Sequence, residues 1–327
     1  MKIIQRFPVP TGDILIVEGD FGKLEMLSVG DYGKDVNLKA NCLGLSREPE
    51  LVTHTDMLPL TKKWVITIST QYGCSMNCTF CDVPKVGPGR NATAPDLLSQ
   101  VFTGLKLHPE ITHSDRLNIH FARMGEPTWN RVVPDATLCL VKELSPDFKI
   151  HPVVSTMLPR YNKRLRTFLK KWMSIKNREL DGNAGLQLSI NSTDDREREI
   201  MFGGNACTVA QFSKVMGGMI PRGRKITLNF AIAGYTIDPD VLLKHFSPEH
   251  YIIKLTPMHK TTACGTNDIN TDGDYTAYEP YQKDEAALLA AGYDVLVFIA
   301  SKAEDEGRIT CGNALLSGTV PFGEGIL

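Results

Sequence analysis

The chain has 327 residues, of which 42% are hydrophobic and 22% charged, with a formal charge of −1 and a pI of about 6.7. This composition excludes a mostly disordered chain and a globally basic nucleic-acid binder, and no apolar run approaches the ~20 residues that a bilayer span requires. The start, Met1-Lys2-Ile3-Ile4-Gln5-Arg6-Phe7, lacks the pattern of a signal peptide, so a cytoplasmic location and no membrane partner are expected.

In chain order, residues 1–60 show short β-like runs, such as Ile14-Leu15-Ile16-Val17 and Lys23-Leu24-Glu25-Met26-Leu27, punctuated by glycine. They are expected to form a small β-rich N-terminal extension ahead of a main unit over 61–327. From Leu60 onward the pattern alternates. Strands are expected at 64–69, 117–121, 151–155, 185–191, 225–233, 251–256 and 294–299. Amphipathic helices are expected at 94–105, 132–144, 159–172, 208–219, 239–245 and 281–291. Thr93 is placed to cap the first helix, with Pro95 inside its start. Strands alternating with helices imply βαβ units, a parallel sheet and an α/β fold. About six such units suggest an open or complete barrel, whose functional residues gather at the carboxyl ends of the strands.

Three of the eight cysteines, Cys74, Cys78 and Cys81, fall in the spacing C-x3-C-x2-C directly after the first of these strands. In a chain of this length cysteines serve metal binding, chemistry or core packing more readily than disulfides. Three thiolates on one loop suit three irons of a [4Fe-4S] cluster, leaving the fourth iron open to a small molecule. Zinc is the competing reading, but it calls for four ligands; no second Cys pair follows, and His54 is the nearest upstream histidine.

The spacing, with an aromatic residue just before the third Cys, resembles the radical S-adenosylmethionine (SAM) superfamily. The resemblance extends to the RlmN/Cfr group of RNA adenine methyltransferases. Gly73-Cys74 through Cys81 resembles that group's GCxxxCxFC, Arg90-Asn91-Ala92-Thr93 its RNLT, and Met124-Gly125-Glu126-Pro127 its MGEP. Ser155-Thr156 matches its ST, Leu188-Ser189-Ile190-Asn191 stands where it has SLH, and Thr310-Cys311-Gly312 resembles its ACG. The resemblance implies a partial (β/α)6-type radical SAM barrel that uses a [4Fe-4S] cluster and SAM. It implies that Cys74, Cys78 and Cys81 hold the cluster, and that Gly125, Glu126, Ser155, Ser189, Asn191 and His259 line the SAM site. It further implies that Cys311 carries a methyl group from one SAM. A radical derived from a second SAM takes hydrogen from that methyl, which then adds to C2 or C8 of an adenine in RNA. An electron donor such as flavodoxin or ferredoxin is implied as well.

Four departures qualify the resemblance. The family's second Cys, seven residues before the first cluster Cys, is here Thr67, and a Thr hydroxyl forms no disulfide; Cys42, Cys264 and Cys207 are the other thiols weighed for that step. The family's helical accessory domain has no counterpart in the first 60 residues. Glu50 falls near the family's general base but is not assigned. Asn191 replaces a family His, and His259 a family Asn. A basic stretch without acids, Arg160 through Trp172 and Lys176 to Arg178, is expected as an amphipathic helix with Leu165, Phe168, Leu169 and Trp172 inward and Arg160, Lys163, Arg164, Lys170 and Lys171 outward. That face fits either phosphate contact or a plain solvated surface. Two rival functions stay open: a related radical enzyme acting on another nucleic acid, a nucleotide or a peptide without the methyl-carrying Cys, and a non-catalytic RNA-binding member.

Overall fold

A computed structural model describes residues 1–31, 57–271, 278–299, 307–310 and 312–318. The chain opens with an antiparallel meander, β1 (Lys2–Val9), β2 (Gly12–Gly19) and β3 (Gly22–Val29), followed by β4 (Trp64–Ile68). A short ribbon, β5 (Gln71–Gly73) with β6 (Pro88–Asn91), precedes α1 (Ala94–Leu105) and β7 (Ser114–Phe121). Then come α2 (Val133–Leu144), β8 (Phe148–Thr156), α3 (Leu165–Ser174), β9 (Gly185–Ser189), α4 (Asp195–Met201) and α5 (Val209–Met216). The last described elements are β10 (Ile226–Ile232), α6 (Pro239–His245), β11 (Tyr251–Pro257), α7 (Thr262–Thr266), α8 (Glu279–Ala290) and β12 (Asp294–Val297).

One sheet has the order β1-β2-β3-β4-β7-β8-β9-β10-β11-β12. The meander joins it antiparallel through β3 and β4, and every pairing from β4 to β12 is parallel. Parallel neighbours need crossovers, and the helices supply them on the outer face. There the core is built from alternate strand residues, among them Trp64, Ile66 and Ile68 of β4 and Leu117, Ile119 and Phe121 of β7, all fully buried. The intervening residues face the opposite way. Val29 of β3 and Phe298 after β12 line the same cavity, so the sheet is rolled around an interior lumen. This is the expected α/β partial barrel.

Local chemistry explains most boundaries. Thr93 and Asp96 form a reciprocal capping box at α1, as anticipated for Thr93. Leu165, Phe168, Leu169 and Trp172 are buried on α3 as expected. The helix begins at Leu165 rather than 159, because Asn162 turns back to donate to the Thr128 carbonyl at 2.8 Å and accepts from Arg164 N at 3.0 Å. The strand expected over 185–191 ends at Ser189, since Asn191 takes a left-handed backbone (φ 59°). α4, α7 and the β5–β6 ribbon are too short to carry a sequence period. Cys42, His54, Glu50 and Cys311 lie outside the described residues. Among the described residues no helix is long and apolar enough to cross a membrane.

Candidate active site

The cysteine loop leaves the sheet after β4 and returns before α1, and the β5–β6 ribbon closes its base, with Cys74 N donating to Gly87 O at 3.0 Å. The Arg90–Thr93 motif is structural here. Asn91 accepts from Gln71 Nε2 and donates to the Trp129 carbonyl, while Thr93 caps α1. Gly89 runs so close to the loop that a Cβ there lies 2.5 Å from Ser75 N, and its φ is 91°. Only glycine fits both constraints.

Farther along, the loop rests on segments distant in sequence. Thr79 N donates to Met201 O at 2.9 Å, Asn205 Nδ2 to Met76 O at 3.0 Å, and Thr261 Oγ1 to Phe80 O at 2.8 Å. The Phe80 ring packs edge-on against Phe202. Asp82, fully buried, accepts from Lys85 Nζ and from the N–H groups of Thr262 and Ala263. Burial alone raises its carboxyl, but these donors outweigh burial and hold it below the usual carboxylate range.

Cys74, Cys78 and Cys81 line a cavity of about 540 Å³ that runs into the lumen. Gly125, Glu126 and Ser155 line it too, as do Ser189, Asn191 and His259. The structure therefore brings together all nine described residues that the sequence singles out. Cys311 lies outside the described residues, but its chain neighbours Thr310 and Gly312 line the same cavity, and Asp82 N donates to Gly312 O at 3.0 Å.

Glu126 is buried at the carboxyl end of β7. Its Oε1 accepts from Thr128 N (3.0 Å), Thr128 Oγ1 (2.7 Å) and Thr156 Oγ1 (2.7 Å); its Oε2 accepts from Met157 N (2.8 Å). Burial pushes its carboxyl up and the four hydrogen bonds pull partly against that. A carboxylate has about four acceptor positions shared by two oxygens, so Oε2 retains room for one more donor. Gly125 has φ 92°, and a Cβ there lies 2.5 Å from Gln71 Cβ. The Ser155 and Ser189 hydroxyls make no hydrogen bond to any described residue, which leaves both for a ligand. Asn191 is partly committed, since its Oδ1 accepts from Ala231 N at 3.1 Å.

Sequence reasoning missed three supports. Gln71 is a hub: Oε1 accepts from Glu126 N at 2.9 Å and from Ser75 Oγ at 3.2 Å, while Nε2 donates to Gly89 O and Asn91 Oδ1 at 2.9 Å. Thr156 was visible only as a partner of Ser155. The third is the buried pair Arg123–Glu25. Both arginine Nε (2.7 Å) and Nη2 donate to Glu25 Oε1, Arg123 Nη1 reaches Thr310 O at 3.3 Å, and Leu316 N donates to Glu25 Oε2 at 3.0 Å. This pair fastens segments on both sides of Cys311 to the barrel mouth.

Thr67 lines the cavity as well. Cys264 is buried beside the loop, its thiol donating weakly to the Phe80 and His259 carbonyls and raised mainly by burial; Cys207 is also buried and raised by burial. Among the described residues the only cysteines lining the cavity are the three of the loop. On the basic stretch, Lys163, Arg164, Lys170 and Lys171 are exposed as expected, Lys171 while pairing with Asp135, but Arg160 is half-buried and paired with Glu199.

No family model matches the chain. The dual-specificity RNA methyltransferase RlmN of Sorangium cellulosum is 25% identical over 260 residues, which is 78% of this chain and 62% of that protein. RlmN of Marinobacter nauticus is 33% identical over 94 residues, 28% of this chain and 26% of that protein. The chain thus spans less than two thirds of the length of these relatives. In structure, a radical SAM methyltransferase from Sphaerobacter thermophilus matches with a TM-score of 0.65 at 18% identity, covering 95% of this chain and 80% of that one. Sequence and fold together relate the chain to the radical SAM enzymes of the RlmN/Cfr group.

Proposed function

We propose that the chain is a radical SAM enzyme that methylates an adenine carbon, C2 or C8, in ribosomal or transfer RNA, with Cys311 as methyl carrier. The observation that carries this reading is the convergence of the nine described site residues on one cavity. The donor set fits a [4Fe-4S] cluster: three thiols on one loop line the cavity, each able to hold one iron. When bound, the cluster supplies one electron, drawn from a donor such as flavodoxin or ferredoxin, that breaks a sulfur–carbon bond of SAM.

The chain's own residues then bind and orient. Glu126 Oε2 would accept from the ammonium group of SAM, and Met157 N, donating to that oxygen, holds it in place. Ser155 and Ser189 offer hydroxyls to ribose or carboxylate oxygens, and Asn191 and His259 flank them. A thiol carrier answers a chemical need, because an amidine carbon is too electron-poor for ordinary methyl transfer. Lys163, Arg164 and Lys170, exposed beyond β8, supply positive charge for RNA phosphates.

A second reading is favoured by Thr67 and by the lack of a further described cysteine on the cavity. In it the chain keeps the radical chemistry but acts on another nucleic acid, a nucleotide or a peptide without the Cys-methyl step. Anaerobic reconstitution with SAM, dithionite and total RNA, followed by mass spectrometry, separates the two. New 2- or 8-methyladenosine alongside 5′-deoxyadenosine, both methylated bases lost in Cys311→Ala, supports the first. 5′-Deoxyadenosine without methyladenosine, unchanged in Cys311→Ala, supports the second.

A further inference from the structure

Among the described phenylalanines, tyrosines and tryptophans only two are exposed, Phe21 at 43% and Tyr161 at 65%. A single apolar side chain on a surface calls for no explanation. These two differ in where they sit and in what accompanies them. Phe21 occupies the turn between β2 and β3. Since β3 runs antiparallel to β4, pairing Leu27 with Thr67 and Val29 with Val65, this turn lies at the end where β4 delivers the cysteine loop. There Phe21 N donates to Tyr72 Oη at 3.2 Å and the two rings meet edge-on, just ahead of Cys74. The exposed Arg90 lays its guanidinium over the Phe21 ring, 3.2 Å from the ring centre.

Tyr161 follows β8 at the same end of the barrel. Arg160 N donates to Asn205 O at 2.8 Å, and Asn205 Nδ2 donates to Met76 O at 3.0 Å, which ties this turn to the cysteine loop. On the other side Asn162 is buried and donates to Thr128 O. The Tyr161 ring is therefore exposed on a backbone pinned at both neighbours, with the exposed Lys163 and Arg164 next along the chain. The adjacent acids are engaged: Asp20 accepts from Thr93 Oγ1 at 2.6 Å, and Glu199 from Arg160 Nη2 at 2.6 Å.

An exposed ring beside a cation suits a nucleotide, because aromatic and guanidinium planes stack an unpaired base while the cation meets phosphate. A cavity of about 540 Å³ is too small for a duplex, so a base that reaches the thiols must leave its stack, and its former neighbours lose a stacking partner. We infer that Phe21 with Arg90, and Tyr161 with Lys163 and Arg164, are two base-stacking platforms on the rim that hold unpaired nucleotides next to the one entering the cavity. This rests on RNA as the substrate proposed above and goes beyond its phosphate contacts, since it requires the RNA to be single-stranded at the mouth.

The test is fluorescence anisotropy of a labelled, unstructured single-stranded RNA, and of the same sequence as a duplex, over a series of salt concentrations and without SAM. Tyr161→Ala and Phe21→Ala should each weaken the single strand about fivefold or more, as the loss of one base–aromatic stack dictates, with the slope of log Kd against log salt unchanged. Tyr161→Phe keeps the ring and should stay within about twofold, as should Leu289→Ala, an exposed apolar position on α8. Lys163→Gln should instead reduce the slope by about 0.7, the signature of a lost phosphate contact. Duplex affinity and the ligand-free melting temperature should be the same in both alanine variants as in wild type, because a paired base has no open face and both rings are exposed. Single-strand affinity within about twofold of wild type in either alanine variant, an equal loss on the duplex, or a loss in Tyr161→Phe as large as in Tyr161→Ala would overturn the inference and leave the RNA reading standing. Retained RNA binding with weakened binding of flavodoxin would overturn it by assigning the rim to the electron donor. A wild-type chain that binds no RNA would overturn both.

Discussion

Replacing Glu126 with Gln turns one oxygen of a buried carboxylate into an NH2 group while keeping the volume. The hydrogen bonds dictate which oxygen changes. The carbonyl must take the Oε1 position, because three donors point there; the NH2 then falls at Oε2 and meets Met157 N–H, formerly 2.8 Å from an acceptor. One backbone donor loses its partner, at about 1–3 kcal/mol. Removing a desolvated charge offsets part of that cost, as the raised carboxyl pKa indicates. The net loss of stability should therefore be about 1 kcal/mol. The effect on SAM is larger, because a charged acceptor for the ligand ammonium becomes a donor. Losing a charge-assisted hydrogen bond of about 1.5–3 kcal/mol weakens binding by about 10- to 150-fold. Equilibrium dialysis of labelled SAM against the anaerobically reconstituted variant measures this, with chemical denaturation as the stability control. Thr156→Val keeps the charge and removes one hydrogen bond, so it should weaken SAM far less. A Glu126→Gln Kd within about threefold of wild type, with the fold intact, would refute the assignment of Oε2 to the ammonium.

Gln71→Met fills nearly the same volume but strands Gly89 O, Asn91 Oδ1 and Glu126 N; a loss of about 2–4 kcal/mol is expected by urea unfolding, with less iron retained after reconstitution. Arg123→Met leaves Glu25 buried without its ion partner, and should cost about 3–5 kcal/mol while exposing the 307–318 segment to limited proteolysis; unchanged protection would show that the pair does not hold that segment. Acid should destabilise the fold through the lumen histidines. His120 has a folded pKa of about 3 against 6.5 unfolded, so the unfolded chain binds the extra proton between those values. The stability from neutral burial is complete above 6.5 and declines as pH falls, by about 2 kcal/mol for His120 at about pH 5. His151, lowered to about 4, acts in the same direction. Denaturation midpoints followed from pH 7.5 down to 5 should fall less steeply in His120→Asn, and an identical slope would remove the histidine from the account.

The alternation of strands and helices, the cap at Thr93, the inward face of α3 and the cysteine spacing were all legible in the linear chain. Each depends on residues a few positions apart, where backbone period and capping geometry operate. The motif order also indicated which residues to watch, because catalytic-end loops follow strands in a parallel barrel. Short elements such as α4 and the β5–β6 ribbon were not legible, since they hold too few residues to show a period and form by packing on the cysteine loop. Arg160 read as exposed charge until the fold half-buried it beside Glu199.

The sequence by itself determined the fold class, the cysteine loop and the identity of the residues at the carboxyl-end mouth. Tertiary structure alone decided how those residues are held: Gln71 joining the loop to Glu126, Thr156 and Met157 fixing the carboxylate, and Glu25 with Arg123 clasping the segments around Cys311 across nearly 300 positions of chain. The reason is physical. Spacing and period are local properties of a chain, whereas hydrogen-bond partnership and electrostatic proximity between distant residues exist only once the sheet has rolled and brought its strands around a common lumen.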